Sequence, residues 1–335
     1  MRISGGVLAI IVALCGAGCG PGRSAAPLPE GDTSHTALAT TGATTGATTG
    51  AAPEDMPEAG GASPAESSGP WPGSMPWPGA AAAGGGVGAA ASPSAVEQAR
   101  RLTTRLDRYL RGRPGRASVA VYDRVTGMRY RYREGAPYRL GAVAEIDILL
   151  VLLLRSQERM RGLTPRERRL AARMIRFGDD RAARRLYAVI GGHKGLTRTL
   201  RQLGAARTRP GPDWKGTRSV AADQLRVLDM LTSPRGPVRE RNRAFASALL
   251  ASSSSARAHG VGAAADRRDR VALKTGWHRA RKGRGGWTVA SAGRIVSPSR
   301  DTLITVLSDR NPKRQTGRAT VERVATMVMD EVRRD

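Results

Sequence analysis

The sequence is poor in cysteine, and its two cysteines, Cys15 and Cys19, lie within the first 20 of 335 residues. The rest of the chain can therefore form no disulfide and offers no thiolate for a metal ion or for nucleophilic attack. The four histidines are scattered, and no H-E-x-x-H motif or Cys/His cluster is present. We therefore expect neither a metal nor another cofactor, and a folded domain in this chain must be stabilised by its apolar core.

Acidic residues are scarce, with 28 acids against 55 bases and a formal net charge of +27. The basic excess falls on residues 94–335, because residues 20–93 carry one base and six acids. Such an excess favours anionic polymers and lipid headgroups as partners. All but five of the bases are arginine, which is typical of a G+C-rich genome. We therefore interpret the charge first as codon bias with a solvated surface, and a selected binding patch is the alternative. No zinc-finger spacing or aromatic-interleaved basic segment is present, and we expect no specific nucleic-acid partner.

The first 19 residues lack an apolar run long enough to span a bilayer. One positive charge, an apolar run from Val7 to Leu14 and small residues before Cys19 are typical of an export signal. The segment GAGC that ends at Cys19 resembles a bacterial lipobox, although an aliphatic residue is usual at the place of Gly16. We therefore expect lipidation of Cys19 and anchoring to the outer face of the cytoplasmic membrane, with ordinary secretion as the alternative.

Residues 20–93 have almost no apolar periodicity. They are rich in Pro, Gly, Ala, Ser and Thr and include the repeat TTGATTGATTGA. Such a segment cannot bury enough apolar surface to offset the entropy of ordering it. We predict a disordered tether here and one folded domain over residues 94–335.

Helical and strand periodicities follow one another in blocks along this domain. A helix beginning at Ser94 and a strand pair over 117–132 come first. The middle has helical patterns only: 145–160, a helix with a Thr164/Glu167 capping box, 180–190, 194–203, 221–231 and 238–251. Strands over 271–277, 287–295 and 302–308 and a helix over 320–332 close the chain. This order predicts an α+β domain, whose antiparallel sheet subdomain with flanking helices (94–139 and 260–335) receives an inserted helical subdomain (140–259).

Three segments of the domain carry a resemblance to a known family. Lys274-Thr275-Gly276 lies in the predicted strand VALKTGW, YRLGAVAEIDILLVLLL leads into a buried helix, and ARMIRFGDDRAARRL joins two helices. With the element order, they resemble the serine β-lactamase and penicillin-binding protein superfamily, in particular class A-like domains of actinobacterial lipoproteins. The resemblance covers residues 94–335. It implies S-x-x-K at the start of a buried helix, S-D-N on a helical-domain loop and K-T-G on a sheet-edge strand.

Two of the three motifs are replaced in this chain. The S-x-x-K positions align with Ala142 and Glu145, and the S-D-N segment is Gly178-Asp179-Asp180. The resemblance implies a serine that attacks a carbonyl after a lysine takes its proton, and a methyl group and a carboxylate supply neither function. No serine stands three residues before any of the five lysines, so the motif is absent rather than displaced. We therefore predict that the acyl-enzyme path is lost.

The surviving Lys274, Thr275 and Gly276 predict a cleft that binds a ligand without turnover. We expect a catalytically impaired cell-envelope protein, a pseudoenzyme, with a peptidoglycan-related or protein ligand in that cleft. One alternative is an active serine hydrolase or β-lactamase with an unrecognised nucleophile, and another is a basic envelope protein that binds anionic polymers or lipids. Glu145 and Asp180 could instead run general acid–base chemistry, or Glu145 could pair with Lys274 and neutralise a degenerate site.

Overall fold

A computed structural model of the chain describes residues 93–253, 259–280 and 285–334. The predicted export signal with Cys19 lies outside these residues, as does all but the last residue of the predicted tether. Across the part of the chain that the structure describes, no helix is both long and apolar enough to cross a membrane.

Eight α-helices and seven β-strands make up the described residues. The helices are α1 (Pro93–Arg111), α2 (Ala144–Glu158), α3 (Pro165–Phe177), α4 (Asp180–Val189), α5 (Gly192–Gln202), α6 (Ala221–Thr232), α7 (Glu240–Ala251) and α8 (Arg314–Val332). The strands are β1 (Arg116–Asp123), β2 (Arg129–Tyr132), β3 (Tyr138–Arg139), β4 (Arg218–Ser219), β5 (Arg270–Arg279), β6 (Trp287–Ser297) and β7 (Arg300–Asn311). Short 3-10 turns over 141–143, 214–216 and 260–264 connect them.

Five of the strands form an antiparallel sheet in the order β2-β1-β7-β6-β5. Strands from both ends of the domain therefore meet in one sheet, because β1 pairs with β7 in the register Val119 to Val306. Strand β5, which carries the K-T-G residues, is an edge strand of this sheet. The arrangement confirms the predicted α+β fold class with its antiparallel sheet and flanking helices.

The two faces of the sheet bury different partners. Val119 and Val121 of β1 pack into a core with α1 and α8, whereas Ala120 between them packs into a second core with the helices of the chain's middle. This alternation follows from the two-residue period of a strand. The second core is built on α2, whose continuous apolar run leaves almost every side chain buried.

Two features of the fold differ from the sequence prediction. The two-residue strands β3 and β4 pair with each other in a small second sheet, and both are too short to show a period in the sequence. Helix α8 begins at Arg314 rather than Thr320. A β-carbon on its Gly317 would lie 2.7 Å from Val289 Cγ2, so the glycine that weakens the helical pattern lets the helix pack closely on β6.

Candidate functional site

The 3-10 turn that carries Ala142 packs closely on β5, the strand with the K-T-G residues. Gly141, at a φ of +55°, begins the 3-10 turn that leads into α2. A β-carbon on Gly141 would lie 2.8 Å from Trp277 O, and one on Gly276 would lie 2.4 Å from Ala142 N. Only glycine at these two positions permits so close an approach of turn and strand. The position that aligns with the family's nucleophile therefore lies directly beside β5.

Glu145 and Lys274 form a buried ion pair next to this turn. Lys274 Nζ lies 2.8 Å from Glu145 Oε2, and the two side chains are 5% and 1% exposed. The ammonium donates hydrogen bonds to Met174 O at 3.1 Å and to Ile175 O at 2.8 Å. These carbonyls belong to the last turn of α3, the end of a helix that attracts cations, so the charge of Lys274 is satisfied within the protein.

Burial governs the protonation of Glu145. It raises the pKa of this carboxyl to about 7. The positive charge of Lys274 opposes the rise, and the negative charge of Asp180 adds to it. Desolvation outweighs the attraction of the partner, as is common for ion pairs taken out of water.

The segment that aligns with S-D-N ends α3 and begins α4. Gly178 adopts a φ of +65° and closes α3, and a β-carbon on it would lie 3.9 Å from Lys274 Nζ. Asp179 caps α4, because its Oδ1 accepts hydrogen bonds from Arg181 N at 2.9 Å and Ala182 N at 3.0 Å. These backbone hydrogen bonds lower the pKa of Asp179. The segment thus places Gly178 beside the buried lysine while Asp179 has a structural role.

Asp180 and Thr275 have their partners outside the buried pair. Asp180 is more than half exposed and forms an ion pair with Lys215. The Thr275 hydroxyl lies 2.9 Å from Ser291 Oγ. Ser291 faces Thr275 directly across the β5–β6 ladder. The structure therefore brings together Ala142, Glu145, Gly178, Lys274 and Gly276 but not the carboxylates of Glu145 and Asp180 as a shared pair.

Charged and aromatic side chains surround the outer end of β5. Trp277 is half exposed, and the Arg314 guanidinium stacks on its ring at 4.9 Å. Burial lowers the pKa of the next residue, His278, and the charges of Arg139 and Lys215 lower it further. No sequence pattern predicted Arg139 or Lys215 at this place. Arg139 precedes the aligned S-x-x-K positions without being part of them, and Lys215 lies in a segment without a motif.

No metal centre accompanies these residues. Over the described ranges, no group of three or more His, Cys, Asp or Glu side chains could hold a metal ion. Among the five positions that the structure brings together, none carries a hydroxyl or a thiol. Their chemistry is limited to an ion pair, backbone hydrogen bonds and the proton of Glu145.

Solved structures share this fold. The class A β-lactamase from Bacteroides cellulosilyticus has 15% identity and a TM-score of 0.62 over 71% of this chain and 99% of its own. A β-lactamase from Xanthomonas campestris pv. campestris has 20% identity and a TM-score of 0.61, covering 70% of this chain and 98% of its own. PBP-A has 15% identity and a TM-score of 0.60, covering 70% of this chain and 97% of its own. At these identities the likeness shows a serine β-lactamase-like fold.

The family model described as the β-lactamase enzyme family matches residues 156–332. This range is more than half of the chain, and the chain therefore belongs to that family. The comparison of this chain with curated protein sequences found no match. The predicted superfamily resemblance is confirmed.

Proposed function

We propose that this chain is a catalytically impaired member of the family that binds a peptidoglycan-related or protein ligand beside β5 without turning it over. The observation that carries the proposal is the buried Glu145–Lys274 pair next to Ala142. An acyl-enzyme needs a nucleophilic oxygen and a group that takes its proton. Ala142 supplies no oxygen, and Glu145 is held by a cation rather than facing a nucleophile.

The ligand contacts are proposed at the outer part of the site. Thr275 and Gly276 were expected to contact the ligand together with Lys274. The Lys274 ammonium is buried and has three partners, so we propose that it positions the Ala142 turn through Glu145 rather than binding a ligand carboxylate. We assign that contact to Lys215, which is 40% exposed and whose charge acts on His278 of β5; we call this place the rim of the site.

The first test is intact mass spectrometry of the full chain after incubation with a reactive penicillin. We expect no covalent adduct on the wild type and none on Ala142→Ser, which gains a hydroxyl without the lysine. The double variant Ala142→Ser/Glu145→Lys restores both groups and should form an adduct if these are the decisive losses. A stoichiometric adduct on the wild type would overturn the proposal, and peptide mapping would identify the nucleophile.

The second test measures binding by calorimetry. The probe is a soluble peptidoglycan stem peptide, titrated into the wild type, Lys215→Ala and the control Arg100→Ala, which replaces an exposed arginine on α1. Loss of a charged contact to a ligand carboxylate should weaken binding about tenfold in Lys215→Ala only. If the peptide does not bind, the peptidoglycan-related ligand is ruled out in favour of a protein ligand. If Lys215→Ala binds like the wild type, the rim assignment is wrong.

We also propose that the chain is exported and anchored through a lipid on Cys19, with the folded domain held at the outer face of the cytoplasmic membrane. The support is the signal-like start and the GAGC segment. A mass shift on the N-terminal peptide of the protein isolated from membranes would support this, and an unmodified N-terminus in the medium would favour secretion.

A further inference from the structure

Three neighbouring helices turn the same kind of surface to solvent. Helices α3, α4 and α5 each pack against the buried helix α2, and α4 also packs against α3 and α5. Their inward faces are apolar: α4, for example, buries Ala182, Ala183, Leu186 and Tyr187. Their outward faces are therefore fixed by the fold and lie side by side.

Arginine dominates these outward faces. Residues 165–202 carry eleven bases and three acids. The exposed bases recur at helical spacing, so that each helix presents them on one side. They are Arg166, Arg169, Arg173 and Arg176 on α3, Arg181, Arg184 and Arg185 on α4, and Lys194, Arg198 and Arg201 on α5. We call these ten side chains the basic face.

The acids of this region do not neutralise the basic face. Asp179 pairs with Arg173. The other two, Glu167 and Asp180, pair with Arg161 and Lys215, which lie outside the three helices. Of the ten side chains, only Arg173 forms an ion pair with an acid of the described residues. Nine positive charges thus stand on three adjoining helices without a counter-charge among the described acids, at a repulsive cost that a bound anion would relieve.

Codon usage explains only part of this surface. A G+C-rich genome favours arginine over lysine, but aspartate and glutamate have G+C-rich codons too. The shortage of acids, 28 against 55 bases in the whole chain, therefore needs another reason. Arginine is also the cation that binds phosphate with two parallel hydrogen bonds, which lysine cannot do.

We propose that the basic face binds a linear polyanion that carries phosphate groups. Rows of guanidinium groups repeat every helical turn of about 5.4 Å along helices that lie about 8–10 Å apart, a spacing that several phosphates of one flexible chain can follow. A bilayer fits less well, because helices that lie in a membrane interface turn an apolar stripe to the lipid. Here the apolar sides of α3, α4 and α5 face the core, and the large apolar side chains that these helices expose are Phe177 and Val189, one at the end of α3 and one at the end of α4, which do not form a stripe. This proposal is independent of the ligand proposed at β5.

The test compares two triple variants of the full chain. Arg181→Gln/Arg184→Gln/Arg185→Gln removes three charges from the basic face on α4. The control Arg100→Gln/Arg108→Gln/Arg111→Gln removes three exposed charges from α1, which packs with α8 on the other side of the sheet. Both variants change the net charge equally, and glutamine keeps the helix propensity close to that of arginine.

Binding of labelled inorganic polyphosphate is measured by fluorescence anisotropy over a series of salt concentrations. We expect the α4 variant to bind about tenfold or more weakly than the wild type. Its slope of log K against log salt should be shallower by about 2, for three lost phosphate contacts at about 0.7 each. The α1 control should keep the wild-type slope.

Three outcomes would overturn the proposal. Equal weakening of both variants would mean that overall charge, and not this face, attracts the polymer. Absence of polyphosphate binding by the wild type near physiological salt would also overturn the proposal. Binding to phosphatidylglycerol vesicles that depends on the α4 arginines, without binding to polyphosphate, would assign the face to a lipid surface instead. Neither of the tests at β5 depends on these results.

Discussion

Replacing Glu145 with glutamine should make the folded protein more stable above neutral pH, although the substitution removes one half of an ion pair. The reason is that burial raises the pKa of Glu145 to about 7 despite the adjacent Lys274. Ionised Glu145 is therefore a net cost to the fold at pH 8, and glutamine resembles the protonated acid in shape and charge. Its amide oxygen can still accept a hydrogen bond from Lys274, whose two carbonyl acceptors are unchanged.

The size and sign of the effect follow from proton linkage. An unfolded glutamate ionises near 4.5 and Glu145 in the folded protein near 7. Between these values the folded state binds more protons, so this group lowers the stability as the pH rises through the window. At about 1.4 kcal/mol per pH unit, the interval corresponds to about 3 kcal/mol. The variant lacks this loss, so it should match the wild type near pH 4.5 and exceed it by up to about 3 kcal/mol at pH 8.

The assay is urea denaturation of the full chain at intervals from pH 4.5 to 8.5. The free energy of unfolding of Glu145→Gln minus that of the wild type should rise across the window, and contributions from other groups cancel in the difference. Glu158→Gln, an exposed substitution on the same helix, should give a flat difference. A loss of about 3–5 kcal/mol in Glu145→Gln at pH 8 would refute the reasoning, because that is the cost of breaking an ion pair that stabilises the fold.

Three further substitutions test other parts of the domain. Burial raises the pKa of the fully buried Asp147 from 3.8 to about 8. Between these values the folded state binds more protons, so the wild type should lose melting temperature relative to Asp147→Asn as the pH rises from about 4 to about 8; thermal scans of both proteins over this window check this, and parallel curves would contradict it. Thr164→Ala removes the side chain that caps α3 and should cost about 1 kcal/mol in urea denaturation, whereas an unchanged midpoint would mean that the cap is dispensable. Gly276→Ala places a β-carbon 2.4 Å from Ala142 N and should cost about 2 kcal/mol or more, while the control Gly112→Ala enters open space and should leave unfolding unchanged.

The fold followed from the sequence wherever one pattern dominated a segment. The uninterrupted apolar run of α2 predicted a buried helix, and the Thr164/Glu167 capping box located the start of α3 at the residue where the structure has it. Prediction was weaker where packing outweighs local preference. The first turn of α8 is polar and contains Gly317, and only its contact with β6 shows why it is helical.

The site was predictable to the extent that it depends on side chains in motifs. Pairing of Glu145 with Lys274 was one of the interpretations open from the sequence, because the motif alignment brings both to one cleft. The remaining partners of Lys274 are backbone carbonyls at the end of α3. The sequence could not identify them, because every residue has such a carbonyl. The pair of Asp180 with Lys215 joins positions 35 residues apart without a shared motif, so only the folded chain reveals it.

The state of Lys274 bears on how a surviving K-T-G motif is interpreted. With the family's lysine at position 145, Lys274 would face a second cation there. Glutamate at this position instead gives the buried Lys274 a counter-charge, and two carbonyls of α3 fix its ammonium against the helical part of the domain. Lys274 thereby joins β5, α2 and α3, and removing it would leave Glu145 without its cation. The presence of Lys274 in this chain therefore has an explanation in folding, and the motif by itself is not an argument for turnover.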